Sequence, residues 1–285
     1  MRIGSFTRHG RATYGAFTPQ GVIDLGARLG DRYPDLLALI QQGGLEEAAE
    51  AIRGTSPDAA PSDVKFLPLV TRPTNIYCAG RNYRDHVAEM AAGAVPPEHP
   101  TLFIKTLGAL VGHEEAIVKP KASQQFDYEA ELAVVLGRGG RHIARGEAMD
   151  HVAGYTCLMD GSVRDFQRRA TDQGKNFWRS SSIGPWLATP DEVPPRGDWD
   201  SWKIRGKLNG QVMQSSNIGA LIHGVEDLIT YYSGIAELLP GDIISTGTCA
   251  GVGHGRKPPV YLKPGDVFET EIEGVGVLRN PVVGE

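Results

Sequence analysis

Three carboxylates alternate with apolar residues in the segment 127–136, DYEAELAVVL. If this segment is a strand, its side chains alternate between two faces, and Asp127, Glu129 and Glu131 share one of them. Carboxylates two residues apart on a strand lie roughly 6–7 Å from each other, and at an effective dielectric of about 20 they repel by about 2–3 kcal/mol. A divalent cation would remove this repulsion, because hard cations prefer carboxylate oxygens. The alternative is a surface strand whose acids are solvated.

A pair of residues suited to proton transfer lies upstream, in the segment 80–90, GRNYRDHVAEM. On a helix, His86 and Glu89 are three positions apart and share a face. A carboxylate beside an imidazole fixes the tautomer of the ring and supports its action as a general base. The alternative is an ordinary surface ion pair.

Asp160 lies where the apolar segment 152–159 gives way to a segment with helical spacing that extends to about residue 170. As the first residue of a helix, Asp160 would cap free backbone N–H groups. As a third carboxylate beside Glu129 and Glu131, it would complete an oxygen-rich metal site. Both interpretations remain open at this point.

Three residues that follow Asp160 could also take part in chemistry, namely Arg164, Gln167 and Lys175. Arg164 and Gln167 stand at helical spacing from Asp160, so their side chains can point to the same place. Arg164 could bind a substrate carboxylate through its planar guanidinium group, or it could pair with Asp160. Lys175 stands alone in a loop, where lysines are usually solvated.

A glycine-rich loop follows a strand-like stretch in the segment 245–255, STGTCAGVGHG. Such a loop lets backbone N–H groups approach an anionic ligand. It is not a dinucleotide fingerprint, because the segment 256–259, RKPP, follows it instead of a helix. No Gly-x-Ser-x-Gly nucleophile motif occurs in the chain.

Short strands must position these residues, since 36 glycines and 19 prolines favour many turns. The patterns predict strands at 75–80, 102–105, 131–136, 152–159, 202–208, 242–246 and 267–272, and helices at 83–92, 160–170 and 224–233. Residues 1–63 form a small N-terminal domain and linker, and residues 64–285 form the catalytic domain. We therefore predict a mainly β (α+β) fold with a mixed sheet.

Composition narrows the class of protein. The net charge of −5 argues against a nucleic-acid partner, whose phosphates select basic surfaces. No apolar run approaches the roughly 20 residues needed to span a bilayer, and the N-terminus has no apolar signal core. The three cysteines show no metal-binding or disulfide spacing. We expect a cytoplasmic protein with a small-molecule substrate and no membrane partner.

Five motifs, taken in order along the chain, resemble the fumarylacetoacetate hydrolase family over about residues 72–283. They are Gly-x-Asn-Tyr-x-x-His-x-x-Glu from Gly80, Glu-x-Glu from Glu129, Asp-x-x-x-Arg-Asp-x-Gln from Asp160, Gly-Lys from Gly174 with Gly-Pro downstream, and Gly-Asp-x-Ile-x-Thr-Gly-Thr-x-x-Gly-Val-Gly from Gly241. The Gly-Arg-Asn-Tyr form of the first motif resembles acylpyruvate hydrolases in particular.

The resemblance implies a β-sandwich roll whose mouth holds Mg²⁺ or Mn²⁺, and it implies a homodimer. The residues that match the motifs fall into three groups. The metal ligands would be Glu129, Glu131 and Asp160; the catalytic residues would be His86, Glu89 and Lys175; the substrate-binding residues would be Arg81, Arg164, Gln167 and Thr248.

The activity implied by the resemblance is metal-dependent hydrolysis of a C–C bond in a 2,4-dioxo acid, an acylpyruvate such as fumarylpyruvate or acetylpyruvate. The same site could act as a decarboxylase, lyase or isomerase on a small oxo acid such as oxaloacetate. A metal-dependent binding module without turnover is a further alternative.

Overall fold

A computed structural model describes residues 1–73, 75–91, 93–195 and 197–285. In these ranges the strands are β1 (Arg2–Arg8), β2 (Arg11–Thr18), β3 (Gly21–Asp24), β4 (Lys65–Phe66), β5 (Ile76–Cys78), β6 (Phe103–Ile104), β7 (Leu110–Val111), β8 (Ile117–Lys119), β9 (Phe126–Asp127), β10 (Ala130–Leu136), β11 (Val152–Met159), β12 (Ser162–Val163), β13 (Ser181–Ala188), β14 (Lys203–Leu208), β15 (Gln211–Asn217), β16 (Ile243–Thr248), β17 (Val267–Ile272) and β18 (Gly276–Gly284). The helices are α1 (Gly26–Leu29), α2 (Leu36–Gln41), α3 (Leu45–Ile52), α4 (Arg84–Met90), α5 (Arg164–Gln167), α6 (Thr171–Lys175) and α7 (Val225–Ile235).

Two main sheets form the body of the protein. The larger sheet has the order β3-β2-β1-β13-β11-β10-β16-β5-β6, and the smaller one has the order β15-β14-β17-β18-β8. Apolar residues of both sheets form one core cluster, to which the larger sheet contributes Leu132 and Tyr155 and the smaller sheet contributes Ile204 and Phe268. The predicted mainly β (α+β) fold with mixed sheets is confirmed.

Strand β10 is buried on both faces. Leu132 and Val134 belong to the core between the two sheets, whereas Ala133 and Val135 belong to a second core cluster, shared with residues such as Leu39 of helix α2. Helices of the N-terminal part therefore cover the face of β10 that carries Ala133 and Val135. The alternative of a surface strand with solvated acids is wrong, because Asp127, Glu129 and Glu131 are all buried.

The N-terminal strands continue the larger sheet. Strand β1 pairs with β13 in antiparallel register, with Arg2 opposite Ala188 and Ile3 opposite Leu187. The proposed division of the chain after residue 63 remains a prediction.

The predicted helix at 160–170 is confirmed only in part, because helix α5 covers Arg164–Gln167 alone. Gly161 lies so close to Ser180 that a Cβ atom would be 1.8 Å from its carbonyl oxygen, and Ser162 and Val163 pair with strand β9. These contacts with residues distant in sequence keep the chain extended until helix α5 begins at Arg164.

Other predicted elements match well. Strands at 152–159 and 267–272 have the predicted bounds, and the predicted strand at 131–136 begins one residue earlier. The long strands β13, β15 and β18 were not predicted. Among the described residues, no helix combines the length and apolar character required to cross a membrane.

Gln214 joins the two sheets through its side-chain amide. This fully buried residue of β15 accepts a hydrogen bond from the Ala130 N–H (2.9 Å) and donates to Thr248 Oγ1 (2.7 Å) and the Cys249 carbonyl (2.9 Å). A buried amide with these partners fixes the position of the start of β10 and the end of β16.

We predict that Gln214→Leu lowers the free energy of unfolding by about 2–4 kcal/mol, because it leaves buried polar groups without partners. Urea denaturation followed by circular dichroism measures this change. Gln211→Leu, at an exposed position of the same strand, is the matched control and should change the free energy of unfolding little. Equal stabilities of the two variants would contradict the assigned role of Gln214.

Candidate active site

Three carboxylates converge at one end of the neighbouring strands β10 and β11. Antiparallel pairing places Ala130 opposite Met159, and the Asp160 N–H donates to the Glu129 carbonyl at 2.9 Å. Glu129, Glu131 and Asp160 each offer an oxygen, and these atoms lie within 4.8 Å of one another. All three side chains are buried.

Two lysines contact the same carboxylates. Lys175 Nζ lies 2.6 Å from Glu129 Oε2 and 2.8 Å from Asp160 Oδ2, and it donates to Ser162 Oγ at 2.7 Å. Lys105 Nζ lies 2.7 Å from the other oxygen of Asp160. Although burial alone would lower it, the negative charges of Asp160 and Glu129 raise the pKa of Lys175. Lys175 therefore carries a positive charge inside the site.

Arg164 contributes a third buried cation. Its Nη2 lies 2.7 Å from Asp127 Oδ2 and 2.7 Å from Glu129 Oε1, and its Nη1 donates to Gln167 Oε1 at 2.9 Å. Burial raises the pKa of Glu129, but the charges of Lys175 and Arg164 outweigh burial and lower this pKa to about 2. Glu129 is therefore ionised.

Glu131 is the carboxylate without a cationic partner among the described residues. Its Oε2 accepts hydrogen bonds from the Ser245 hydroxyl and from the Gly247 N–H. Burial, together with the charges of Asp160 and Glu129, raises the pKa of Glu131 to about 8. The site therefore has one more carboxylate than it has cations to balance.

This donor set fits a divalent cation. Three buried carboxylates in a compact cluster are the ligands that Mg²⁺ and Mn²⁺ prefer, and Glu131 has no other positive charge to balance its own. The geometry does not select between the two metals.

His86 and Glu89 lie on helix α4, as the spacing predicts. His86 Nδ1 lies 3.2 Å from Glu89 Oε2, and the other oxygen of Glu89 accepts a hydrogen bond from the Gly251 N–H at 2.9 Å. Glu89 thus holds the imidazole and anchors the helix to the glycine-rich loop. Because Nδ1 is engaged, Nε2 is the nitrogen that remains for a ligand.

A cavity of about 480 Å³ connects these groups. All the predicted substrate-binding residues line it, and so do His86, Glu129, Glu131 and Lys175. The predicted substrate-binding residues are Arg81, Arg164, Gln167 and Thr248. Asp160 and Glu89 lie behind the wall, in contact with Lys175 and His86 respectively. The structure therefore brings the predicted residues together, while their roles remain predictions.

Two alternatives for Asp160 and Arg164 are wrong. Asp160 does not cap a helix, because helix α5 begins after Val163 and has no side-chain cap. Arg164 pairs with Asp127 and Glu129 rather than with Asp160. Both errors follow from the predicted start of the helix at Asp160.

Three residues of the site were not predicted as functional. Lys105 ends a short apolar strand, and a basic residue in such a place was the available signal. Asp127 lies outside the metal cluster; it accepts hydrogen bonds from the Gly253 N–H (2.7 Å) and the His254 N–H (2.9 Å) and pairs with Arg164. His254 lines the cavity.

Residues 75–283 match the family model for the C-terminal domain of fumarylacetoacetate (FAA) hydrolase. The chain belongs to the fumarylacetoacetate hydrolase family. It is 42% identical over 269 residues to the mitochondrial oxaloacetate tautomerase FAHD2A of Bos taurus, and the match covers 92% of this chain and 84% of that protein.

Solved structures share the fold over the whole chain. One is fumarylacetoacetate hydrolase from Exiguobacterium antarcticum, with a TM-score of 0.81, 31% identity and 100% coverage of both chains. Another is maleylpyruvate hydrolase from Sphingobium sp. SYK-6 in complex with manganese(II) and pyruvate, with a TM-score of 0.81, 28% identity and coverage of 100% of this chain and 99% of that one.

We predict that Mn²⁺ binds more tightly as the pH rises toward about 8. Since the pKa of Glu131 is raised to about 8, this group holds a proton below that pH, and the metal must displace the proton to bind the carboxylate. Affinity should increase by about tenfold per pH unit and level off above about pH 8. Isothermal titration calorimetry in buffers of different ionisation enthalpy measures both the affinity and the released proton.

Glu131→Gln is the control for this titration. It should bind Mn²⁺ more weakly and release no proton from this position. An affinity of the unmodified protein that stays constant from about pH 6 to 8 would contradict the assignment.

Proposed function

We propose that this protein interconverts the keto and enol forms of a small 2-oxo acid, with oxaloacetate as the substrate. The observation that carries the proposal is the position of His86, a base held by Glu89, on the wall of the cavity that also contains the acidic cluster. The names of relatives about 40% identical to this chain, which are oxaloacetate tautomerases, support it.

His86 removes a proton from the carbon next to the ketone. With Nδ1 held by Glu89 at 3.2 Å, Nε2 takes this proton and leaves an enolate, whose oxygen becomes the enol by taking a proton from water. In the reverse direction the enol oxygen loses its proton and Nε2 returns a proton to the carbon. His86 lines the same cavity as Glu129 and Glu131, so the base faces the space beside the acidic cluster. A substrate bound there presents its reactive carbon to His86.

Lys175 stabilises the negative charge that develops on the substrate oxygen. Its ammonium group is buried and charged, and it lies between Glu129 and Asp160. Preorganised donors of this kind act strongly in a site with little water, and loss of one typically costs about 10²–10³ in rate. Arg164 and Gln167 orient the substrate carboxylate from the wall of the cavity.

Glu129, Glu131 and Asp160 would hold the divalent cation. When bound, the cation polarises the 2-oxo group and orients the oxo acid. His86 transfers the proton, Lys175 stabilises the negative charge, and Arg164 and Gln167 orient the substrate carboxylate.

Hydrolysis of an acylpyruvate is the second candidate function. It is favoured by the likeness to the maleylpyruvate hydrolase that binds manganese and pyruvate and by the Gly-Arg-Asn-Tyr motif. In this reaction His86 would take a proton from water, and the water oxygen would attack the distal carbonyl of the substrate. The C–C bond would then break, leaving the enol form of pyruvate and a carboxylic acid.

We predict that His86→Ala slows keto–enol interconversion of oxaloacetate by about 10²–10⁴-fold, because it removes the base. The loss of the enol absorbance, followed in the presence of Mg²⁺ or Mn²⁺, measures the rate. His99→Ala is the matched control, since His99 is exposed and stacks on Tyr231 away from the cavity. The affinity for Mn²⁺ should be the same in both variants, and unchanged turnover of His86→Ala would remove His86 from the mechanism.

A substrate panel separates the two candidate functions. We expect the protein to exchange the C3 protons of oxaloacetate for deuterium, with no carboxylic acid released from acetylpyruvate or fumarylpyruvate. Nuclear magnetic resonance in D₂O follows the exchange, and mass spectrometry identifies the products. Release of pyruvate and acetate from acetylpyruvate would establish the hydrolase instead, and release of CO₂ from oxaloacetate would establish a decarboxylase.

The homodimer and the cytoplasmic location remain proposals. Light scattering coupled to size-exclusion chromatography tests the first, and a mass of twice 30.7 kDa is expected. The relative from Bos taurus is named as mitochondrial, so imaging of a tagged protein in its own cell is the test of location.

A further inference from the structure

Arg168 is a cation of the cavity wall that no carboxylate neutralises among the described residues. It lines the cavity, and its side chain donates to the Gln125 amide oxygen at 2.8 Å. It contrasts with Arg164, one helical turn earlier, whose charge is shared by Asp127 and Glu129. An exposed arginine on a cavity wall is available to an anionic group of a ligand.

His254 lines the same cavity as Arg168. Burial lowers the pKa of His254, and the positive charges of Arg164 and Arg168 lower it further. The Tyr261 hydroxyl lies 2.7 Å from His254 Nδ1, and Asp127 accepts the His254 N–H at 2.9 Å. The bond to Asp127 fixes the backbone of His254, and the Tyr261 hydroxyl holds the ring through Nδ1. In the tautomer in which this hydroxyl donates to Nδ1, Nε2–H is a donor for the ligand.

The two ends of the cavity differ in charge. The inner end carries the acidic cluster, where the 1-carboxylate and 2-oxo group of an oxo acid bind with the cation. Arg164 reaches from helix α5 to Glu129 in this cluster, and Arg168 follows one helical turn, about 5.4 Å, further along the chain. Arg168 and the carboxylates Glu129 and Glu131 line one cavity, so a ligand bound at the cluster can reach Arg168.

We propose that Arg168 and His254 bind the distal carboxylate of the substrate, so that the cavity selects dicarboxylic 2-oxo acids over monocarboxylic ones of the same length. This inference rests on the proposed function for the orientation of the substrate, and it names two specificity-determining residues outside the motifs that define the family. Arg168 supplies the charge, and His254 supplies a second donor that limits where the carboxylate can lie.

The test compares two stable ligands that differ only at the distal end. Malate and 2-hydroxybutanoate share a four-carbon chain and a 2-hydroxy acid, but only malate has the second carboxylate. Calorimetry on the protein saturated with Mn²⁺ gives the ratio of their dissociation constants. The variants are Arg168→Gln and His254→Val, and the matched control is Arg169→Gln, since Arg169 stacks over the Phe166 ring, 4.4 Å from its centroid, and does not line the cavity.

We expect Arg168→Gln to weaken malate binding by about 10- to 100-fold, the range for loss of a charge-assisted hydrogen bond, and to leave 2-hydroxybutanoate unchanged. His254→Val should weaken malate by about 3- to 10-fold, as for a neutral hydrogen bond. Arg169→Gln should keep the ratio of the unmodified protein.

Three results would overturn the proposal: equal affinity of the unmodified protein for both ligands, equal weakening of both ligands by Arg168→Gln, or binding of neither ligand. Failure of the proposed function gives a different result. In that case the unmodified protein would not exchange the C3 protons of oxaloacetate, while its preference for malate and the loss of that preference in Arg168→Gln would persist.

Discussion

The site depends on one excess negative charge among buried side chains. Lys105, Arg164 and Lys175 neutralise the other buried carboxylates, but Glu131 contacts only a hydroxyl and a backbone N–H among its described partners. Burying an unpaired charge is costly, so the group holds a proton unless a cation arrives. Glu131 is buried although it lines the cavity, and the affinity for a divalent ion follows from this unbalanced charge.

The parts of the site that are local in sequence could be predicted. His86 and Glu89 lie one helical turn apart, and Glu129 and Glu131 flank one alanine of a strand, so periodicity alone places each pair on one face. The parts of the site that depend on residues distant in sequence could not be predicted. Gly161 approaches Ser180, and Ser162 and Val163 pair with β9, so the chain stays extended where helical spacing indicated a helix.

Burial of β10 on both faces was missed for a similar reason. Alternation of acids and apolar residues indicates a half-buried strand, but helix α2 comes from the far end of the sequence to cover the second face. Lys105 was missed because its partner Asp160 is distant in sequence, just after strand β11. Sequence resemblance supplied what periodicity could not: it pointed to Lys175, which stands alone in its local sequence and which the structure places on the cavity wall.

The pairing of β1 with β13 has a consequence for solubility. Strand β13 lies between β11 and β1, so the first residues of the chain occupy backbone groups that would otherwise form an open sheet edge. Unprotected edges recruit strands from other molecules and lead to aggregation. The N-terminal segment thus protects the edge of the larger sheet at β13. A chain without this segment would be prone to aggregation even with every residue of the cavity intact.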